Sequence, residues 1–520
     1  MKNTLLLSVC ALLLCACSHQ LTTQVAVTGG TVEGYADNGL TIFKGIPFAA
    51  PPVGELRWKA PQPVIPWEGV LEAKEYAKGP FQMGNPAQFS EDCLYLNVWS
   101  PAKTVNDKLP VLVWIYGGGF AMGWTGDPGN DCEALARKAM EDGAEGVILA
   151  SLNYRVGQIG FFSHPLLDAE NDNHVSGNYG ILDQIAALQW IQDNIAKFGG
   201  DPSRVTIFGE SAGGISVSML CASPLAAGLF RGAISQSGGS FGPYRQVTYP
   251  GENMQTLEMA EKDCCRIAEE LGAGSLEELR ALDPASFSRY MMGAGGWPIV
   301  DGYVIPDDQS VLYEAGRYNN VDVLIGYNSD EGASFGFTGQ GLSHEDGVRA
   351  RYGDFADALL AAYPVEADGS VGKTARDLMR DAAFGWQTWQ WARLQADDAQ
   401  SNVYLYYFDQ HAAEADGSPH GQDVAFVFQH LDPAQASESD IALSSAMGEY
   451  WLNFARTGDP NGPGVPEWPK FTSENHRSMY LTGPTPFLGP VPSESALEVI
   501  DTYFTWRRTP EGRAFGESAK

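Results

Sequence analysis

The pentapeptide Gly209-Glu210-Ser211-Ala212-Gly213 constrains this chain more than any other stretch. An apolar run, Arg204-Val205-Thr206-Ile207-Phe208, leads into it, and the helix-like Gly214-Ile215-Ser216-Val217-Ser218-Met219-Leu220 leaves it. G-x-S-x-G alone is a weak signal, since a chain with 59 glycines holds on the order of 0.5 such matches by chance. Between a strand and a helix it reads differently. It marks a sharp strand-to-helix turn that exposes the serine hydroxyl, and glycine is needed because the turn is tight. Ser211 then stands at a helix N-terminus, whose dipole favours developing negative charge. A structural serine in a glycine turn would not need this flanking pattern.

The rest of the chain predicts an α/β architecture with a large, mostly parallel central sheet. Strands are expected at Pro110 to Tyr116, Gly146 to Leu152, Arg204 to Phe208, Val321 to Ile325 and Val403 to Tyr407. Their hydrophobicity is continuous rather than alternating, as in strands buried on both faces. Leu182 to Ile191 has the apolar spacing of an amphipathic helix and completes a βαβ unit. Residues 25 to 70 combine Gly/Pro turns with short alternating runs, an antiparallel lead-in to the sheet. No repeat or low-complexity linker interrupts residues 25 to 510, so one domain is expected there. Helical insertions near 251–293 and 343–400 are expected to cap the sheet.

A nucleophilic serine needs a base, an acid to orient the base, and donors for an oxyanion. Tyr116-Gly117-Gly118-Gly119-Phe120 follows a predicted strand, and three glycines let backbone N–H groups approach a substrate closely. Gly118, Gly119 and Ala212 are the expected oxyanion donors. A phosphate-binding loop is the competing reading, but no G-x-G-x-x-G or G-x-x-x-x-G-K-[ST] pattern occurs. The chain order serine, acid, base leaves His344, His411, His420, His430 and His476 as bases. Spacing favours His420, in a loop after the strand ending near Phe408, with His411 the alternative. Glu331 and Asp330, just after the strand at 321–325, stand equal as the acid.

The formal net charge of −31 repels phosphate backbones and excludes nucleic acid as a partner. The chain opens with a short basic start and an apolar run from Leu5 to Ala16, too short to span a bilayer. Its ending, Leu14-Cys15-Ala16-Cys17-Ser18, resembles a bacterial lipobox and makes Cys17 the expected lipidated N-terminus. Residues 1–17 are thus read as an export signal, with an ordinary secretory cleavage nearby as the alternative. The expected location is the periplasm, the outer membrane through that lipid anchor, or the exterior. No later segment offers 18 continuous apolar residues, so the anchor is the one expected membrane contact. Beyond the export segment, Cys93, Cys132, Cys221, Cys264 and Cys265 form an odd set, which leaves at least one free thiol. No C-x-x-C pair occurs, and neither a metal nor a cofactor is expected. Nothing in the sequence sets an oligomeric state.

Several further stretches resemble the type-B carboxylesterase family, the cholinesterase-like α/β hydrolases. They include Phe43-Lys44-Gly45-Ile46-Pro47-Phe48-Ala49, Leu56-Arg57-Trp58, Glu91-Asp92-Cys93-Leu94-Tyr95-Leu96-Asn97-Val98, Asn153-Tyr154-Arg155 and Gly177-Asn178-Tyr179-Gly180. Phe198-Gly199-Gly200-Asp201-Pro202 and the Ser211 motif itself belong to the same set. The resemblance runs from about Thr31 to Pro469. It implies an α/β-hydrolase fold and hydrolysis of small-molecule carboxylic esters through an acyl-enzyme. It also implies Glu331 as the acid, His420 as the base, an Arg57–Glu91 salt bridge, and Glu210 as an electrostatic neighbour of the nucleophile. Two departures stand out. Phe81 lies where the family has the disulfide partner of Cys93, and the short loop before Ser90 lacks a choline-binding tryptophan. Acetylcholine is therefore not the expected substrate. Esters of aromatic, polyester or toxin type are the specialised alternative, with Trp124, Phe241, Trp297 and Phe335 as candidate pocket residues. A non-catalytic cholinesterase-like binding protein is disfavoured because serine, glutamate and histidine are all present.

Overall fold

The computed structural model describes residues 20–245, 250–290, 296–335, 344–365, 371–398 and 400–518. The export segment with Cys17, and parts of both expected insertions, lie outside the described residues.

Residues with continuous apolar runs form the middle of an eleven-stranded sheet. Its strands, in chain order, are β1 Tyr35–Asp37, β2 Leu40–Pro47, β3 Tyr95–Ser100, β4 Leu109–Ile115, β5 Ile148–Leu152 and β6 Gly200–Glu210. They continue with β7 Gly232–Gln236, β8 Asp322–Asn328, β9 Val403–Phe408, β10 Arg477–Leu481 and β11 Phe487–Pro490. Across the sheet the order is β11-β10-β9-β8-β7-β6-β4-β5-β3-β2-β1. From β5 through β4, β6, β7, β8 and β9 to β10 the neighbours are parallel. The pairs at both ends are antiparallel. Every residue of β4, β5, β7 and β9 is buried, as strands covered on both faces must be. The N-terminal lead-in also forms a small sheet, in which Gln24–Val27 pairs antiparallel with Gly30–Glu33 and that strand pairs parallel with Val70–Glu72.

Two helices pack on the middle strands of the sheet: α1 Tyr179–Asn194, which extends beyond the sequence pattern at both ends, and α2 Ala212–Ala222. The stretches read as insertions are helical where described. Leu257–Glu270 and Leu276–Ala281 occupy the first, and Gly372–Arg380 and Trp386–Asp398 lie in the second. The helix Leu257–Glu270 buries Cys264 and Ile267 in a satellite core with Trp58, Phe162 and Phe287. Arg57 secures this region. Its guanidinium makes two 2.6 Å bonds to the Glu91 carboxylate, and Nη1 donates to the carbonyls of Arg280 (3.1 Å) and Leu282 (2.6 Å). The ion pair expected from the family pattern is present. Cys93 is a buried free thiol, as are Cys132 and Cys221, and Cys265 is free and partly exposed; Cys264 is buried, with its Sγ accepting from the Ser163 N–H (3.4 Å). Among the described residues no helix is long and apolar enough to cross a membrane.

Candidate active site

Ser211 sits between the C-terminal end of β6 and the first residue of α2. Its backbone is at φ 56°, ψ −123°, a conformation that L-residues rarely adopt and that surrounding structure must enforce. The Ser211 N–H donates to the Gln236 carbonyl (2.9 Å), and its carbonyl accepts from the Ile215 N–H (2.8 Å). The flanking glycines are steric requirements. A Cβ at Gly213 would lie 2.0 Å from the Ile115 carbonyl oxygen, and one at Gly209 would lie 2.5 Å from the Gly213 carbonyl carbon.

Two loops at the C-terminal ends of neighbouring strands complete the cluster, where open α/β sheets place ligands. His420, beyond β9, puts Nε2 2.7 Å from Ser211 Oγ. Its Nδ1 lies 2.5 Å from Oε2 of Glu331, which follows β8. Glu331 is fully buried, and its Oε1 accepts from the Ser237 hydroxyl (2.6 Å) and the Asn328 N–H (2.7 Å). Of the two candidates left open for each role, the structure brings His420 and Glu331 to Ser211. Asp330 points to Arg376, 3.0 Å away. His411 lies near Asp409 on the surface side of the β9 loop, with Nδ1 2.9 Å from the Ala412 carbonyl.

Several supporting residues carry no pattern that marks them in the sequence. Ser237 holds the glutamate at a separation of 94 residues. Asp423 accepts from Gln236 Nε2 (2.8 Å), Tyr406 OH (3.1 Å) and Asn328 Nδ2 (3.2 Å), which ties the histidine loop to three strand ends. Asn328 also donates to the Pro419 carbonyl (2.8 Å), one residue before His420. Phe384 and Phe335 approach the imidazole with ring centroids at 4.8 and 5.0 Å. The His-Gly-x-Asp spacing is the one available signal for Asp423.

The glycine loop after β4 lies against the serine. A Cβ on Gly117 would meet Ser211 Cβ at 3.0 Å, and Gly118 and Gly119 have φ of +103° and +61°. Ala212, as the first residue of α2, has one of the N–H groups that a helix leaves unpaired. Of the candidate pocket residues, Phe335 is 45% exposed beside His420. Trp297 is partly buried against Phe120, 4.8 Å away, at the end of the glycine loop. Trp124 packs edge-on to Phe89 (5.9 Å). Phe241 is a correction. It is fully buried between Tyr313 (5.0 Å) and Trp391 (5.6 Å), because Gln387 Oε1 pins the N–H groups of Phe241 and Gly242 and turns the segment into the core.

Electrostatics set the cluster apart. Glu210 Oε1 lies 3.2 Å from His420 Nε2. Burial pushes the Glu210 carboxyl up to about 8, opposed by His420 and reinforced by Asp423 and Glu331. Burial alone would lower His420, but the carboxylates of Glu210 and Glu331 outweigh it and raise the imidazole to about 9. Among the described residues no group of three or more His, Cys, Asp or Glu is arranged to hold a metal.

This architecture is the α/β-hydrolase fold. The chain belongs to the carboxylesterase family, whose model matches residues 21–488. It is similar to fumonisin B1 esterase of Sphingopyxis macrogoltabida, 36% identical over 466 residues, 85% of this chain and 83% of that one. It is also 34% identical to acetylcholinesterase of Bungarus fasciatus over 525 residues, 88% and 82% of the two chains. Among solved structures, carboxylesterase EST55 of Geobacillus stearothermophilus matches with a TM-score of 0.81 at 32% identity, covering 92% of this chain and all of that one. A PNB esterase matches with a TM-score of 0.79 at 32% identity, covering 93% of this chain and 100% of the other. The protein is a carboxylesterase.

Proposed function

We propose that the enzyme cleaves carboxylic esters in two acyl-transfer steps, with Ser211 as nucleophile, His420 as general base and acid, and Glu331 as the group that orients the imidazole. The observation that carries this reading is the continuous chain from Ser211 Oγ to His420 Nε2 (2.7 Å) and from His420 Nδ1 to Glu331 Oε2 (2.5 Å). His420 accepts the Ser211 proton as Oγ bonds to the ester carbonyl carbon. The N–H groups of Gly118, Gly119 and Ala212 hold the oxyanion. The imidazolium returns its proton to the departing alcohol, and water activated by the same histidine releases the acid and regenerates Ser211. Phe335, its ring 5.0 Å from the imidazole, offers an aromatic surface to an apolar or aromatic group of the ester. Ser211→Ala is expected to lower turnover of an activated aryl ester by at least about 10³-fold with an unchanged circular dichroism spectrum. Turnover within tenfold of wild type would remove Ser211 from the reaction.

We further propose that residues 1–17 direct export of the enzyme. Cys17 as a lipidated first residue would tether the enzyme to a membrane surface facing an oxidising compartment. Mass analysis of the mature N-terminus in a bacterial host checks it, with a diacylglyceryl mass on Cys17 expected. An unmodified N-terminus created by cleavage elsewhere would replace the anchor with simple secretion.

A further inference from the structure

The loop from Tyr116 to Trp124 carries the Gly118 and Gly119 N–H groups, and few bonds set its shape. Gly118, Gly119, Phe120 and Gly123 have φ of +103°, +61°, +55° and +113°. The Gly118 carbonyl accepts from the Ala121 and Met122 N–H groups, both at 3.1 Å. The carbonyl and N–H of one trans peptide point in opposite directions, so these two bonds turn the Gly119 N–H out of the loop. A Cβ on Gly119 would meet nothing within 4 Å, so that residue borders open space. The Phe120 carbonyl accepts from the Gly157 N–H (2.6 Å).

The loop closes on itself at Gly123. A Cβ there would lie 2.5 Å from the Tyr116 ring and 2.7 Å from the Gly117 carbonyl oxygen. Among the described residues, both backbone groups of Gly123 pair with one side chain. Gln82 Oε1 accepts from the Gly123 N–H (2.9 Å), and Gln82 Nε2 donates to the Gly123 carbonyl (2.8 Å). Gln82 is buried, and its Nε2 also donates to the Pro80 carbonyl (3.1 Å), which holds the amide in one orientation. Asn153 braces the same two segments: Oδ1 accepts from the Thr125 N–H (2.9 Å), and Nδ2 donates to the Lys78 carbonyl (3.2 Å). A side chain that pairs with both polar groups of one residue fixes the two peptide planes on either side of it. Here those planes adjoin Met122, whose N–H reaches the Gly118 carbonyl.

We propose that Gln82 is a positioning residue for ester hydrolysis: by clasping Gly123 it keeps the Met122 N–H on the Gly118 carbonyl and so aims the Gly119 N–H at the oxyanion. The inference rests on the reading of Gly118 and Gly119 as oxyanion donors. Gln82 acts through the loop and not on the ester itself. A misaimed donor weakens the transition state more than the bound ester, so its loss falls on kcat and not on KM.

Two variants of the full-length protein test this. Gln82→Leu removes both bonds, and Gln82→Glu keeps an acceptor for the Gly123 N–H but donates to the carbonyl only when protonated. Gln82→Leu is expected to lower kcat for an activated aryl ester about 10- to 100-fold, with KM within about threefold of wild type. An aryl trifluoromethyl ketone, whose adduct with Ser211 carries an oxyanion, should bind more weakly by the same factor, and the matching methyl ketone should not. The deficit of Gln82→Glu against wild type should be larger at about pH 9 than at about pH 6, because a protonated carboxyl both accepts and donates. In Gln82→Leu, kcat and trifluoromethyl ketone affinity within about twofold of wild type overturn the proposal even if the urea midpoint falls, as does a loss confined to KM. Should Gln82→Leu fail to fold, Gln82→Glu decides, and a deficit that is absent or independent of pH overturns the proposal. A wild-type enzyme that binds the trifluoromethyl ketone no more tightly than the methyl ketone removes the oxyanion reading and this inference with it. A wild-type preference that the variants retain removes the role of Gln82 alone.

Discussion

Glu210 and His420 illustrate how one side chain sets the working range of another. The Glu210 carboxylate stands 3.2 Å from the imidazole nitrogen that faces Ser211. Its negative charge, with that of Glu331, stabilises imidazolium and outweighs the burial that opposes it. A base works only when unprotonated, so activity is expected to rise with pH through the histidine's raised value. Glu210→Gln removes one of those charges and keeps the shape. The acid limb of kcat/KM is therefore expected to move to lower pH, measured as a rate profile between about pH 5 and pH 10. A limb that stays in place would mean that Glu210 is neutral throughout and acts on the site only through packing. The identity of the histidine and its acid is partly legible at this scale. Spacing narrows each to two choices, and family resemblance picks His420 and Glu331. Only the three-dimensional contacts separate the two carboxylates: that of Asp330 meets Arg376, and that of Glu331 meets His420.

At the scale of elements, the turn from β6 to α2 depends on backbone clearance. Gly213→Ala places a methyl group 2.0 Å from a carbonyl oxygen of β4, which has no flexible end to give way. The variant is expected to lose about 1–3 kcal/mol or more in urea unfolding and to lose activity with it, since the same shift moves Ser211. Full stability at that position would contradict the packing described. The strands most legible in the sequence are those with unbroken apolar runs, namely β4, β5, β8 and β9. Strand β7, Gly232-Ala233-Ile234-Ser235-Gln236, escapes such a reading because two of its five residues are polar. Its polar side chains are satisfied inside the molecule instead: Ser235 Oγ donates to the Gly214 carbonyl (3.1 Å) and Gln236 Nε2 to Asp423 (2.8 Å). Period and hydrophobicity cannot register a strand whose burial is set by partners more than twenty positions away. The edge pair β10 and β11 escapes for a related reason, being short and carrying glycine and proline in its last strand.

For the whole molecule, Arg155 and Asp183 form a fully buried charged contact across the fold. Nε lies 2.8 Å from Oδ2 and Nη2 2.7 Å from Oδ1. The pair joins the segment after β5 to α1, and Arg155 Nη2 also donates to the Lys59 carbonyl (2.9 Å). Removing one partner leaves an uncompensated charge in the core. Asp183→Ala is expected to cost about 3–5 kcal/mol, read as a lowered urea midpoint with an unchanged slope. A loss below about 1 kcal/mol would show that water reaches the guanidinium.

Local chain chemistry by itself determined the strand-to-helix turn at Ser211, the glycine loop at Gly117 to Gly119 and the buried middle of a parallel sheet. Each of these is written in contiguous residues, through clearance, periodicity or backbone freedom. The tertiary structure alone decided what joins distant segments: Ser237 and Asn328 holding Glu331, Asp423 bracing the His420 loop, and Phe241 withdrawn into the core. Those outcomes depend on which side chains meet after the sheet has assembled, and such meetings leave no period or motif along the chain.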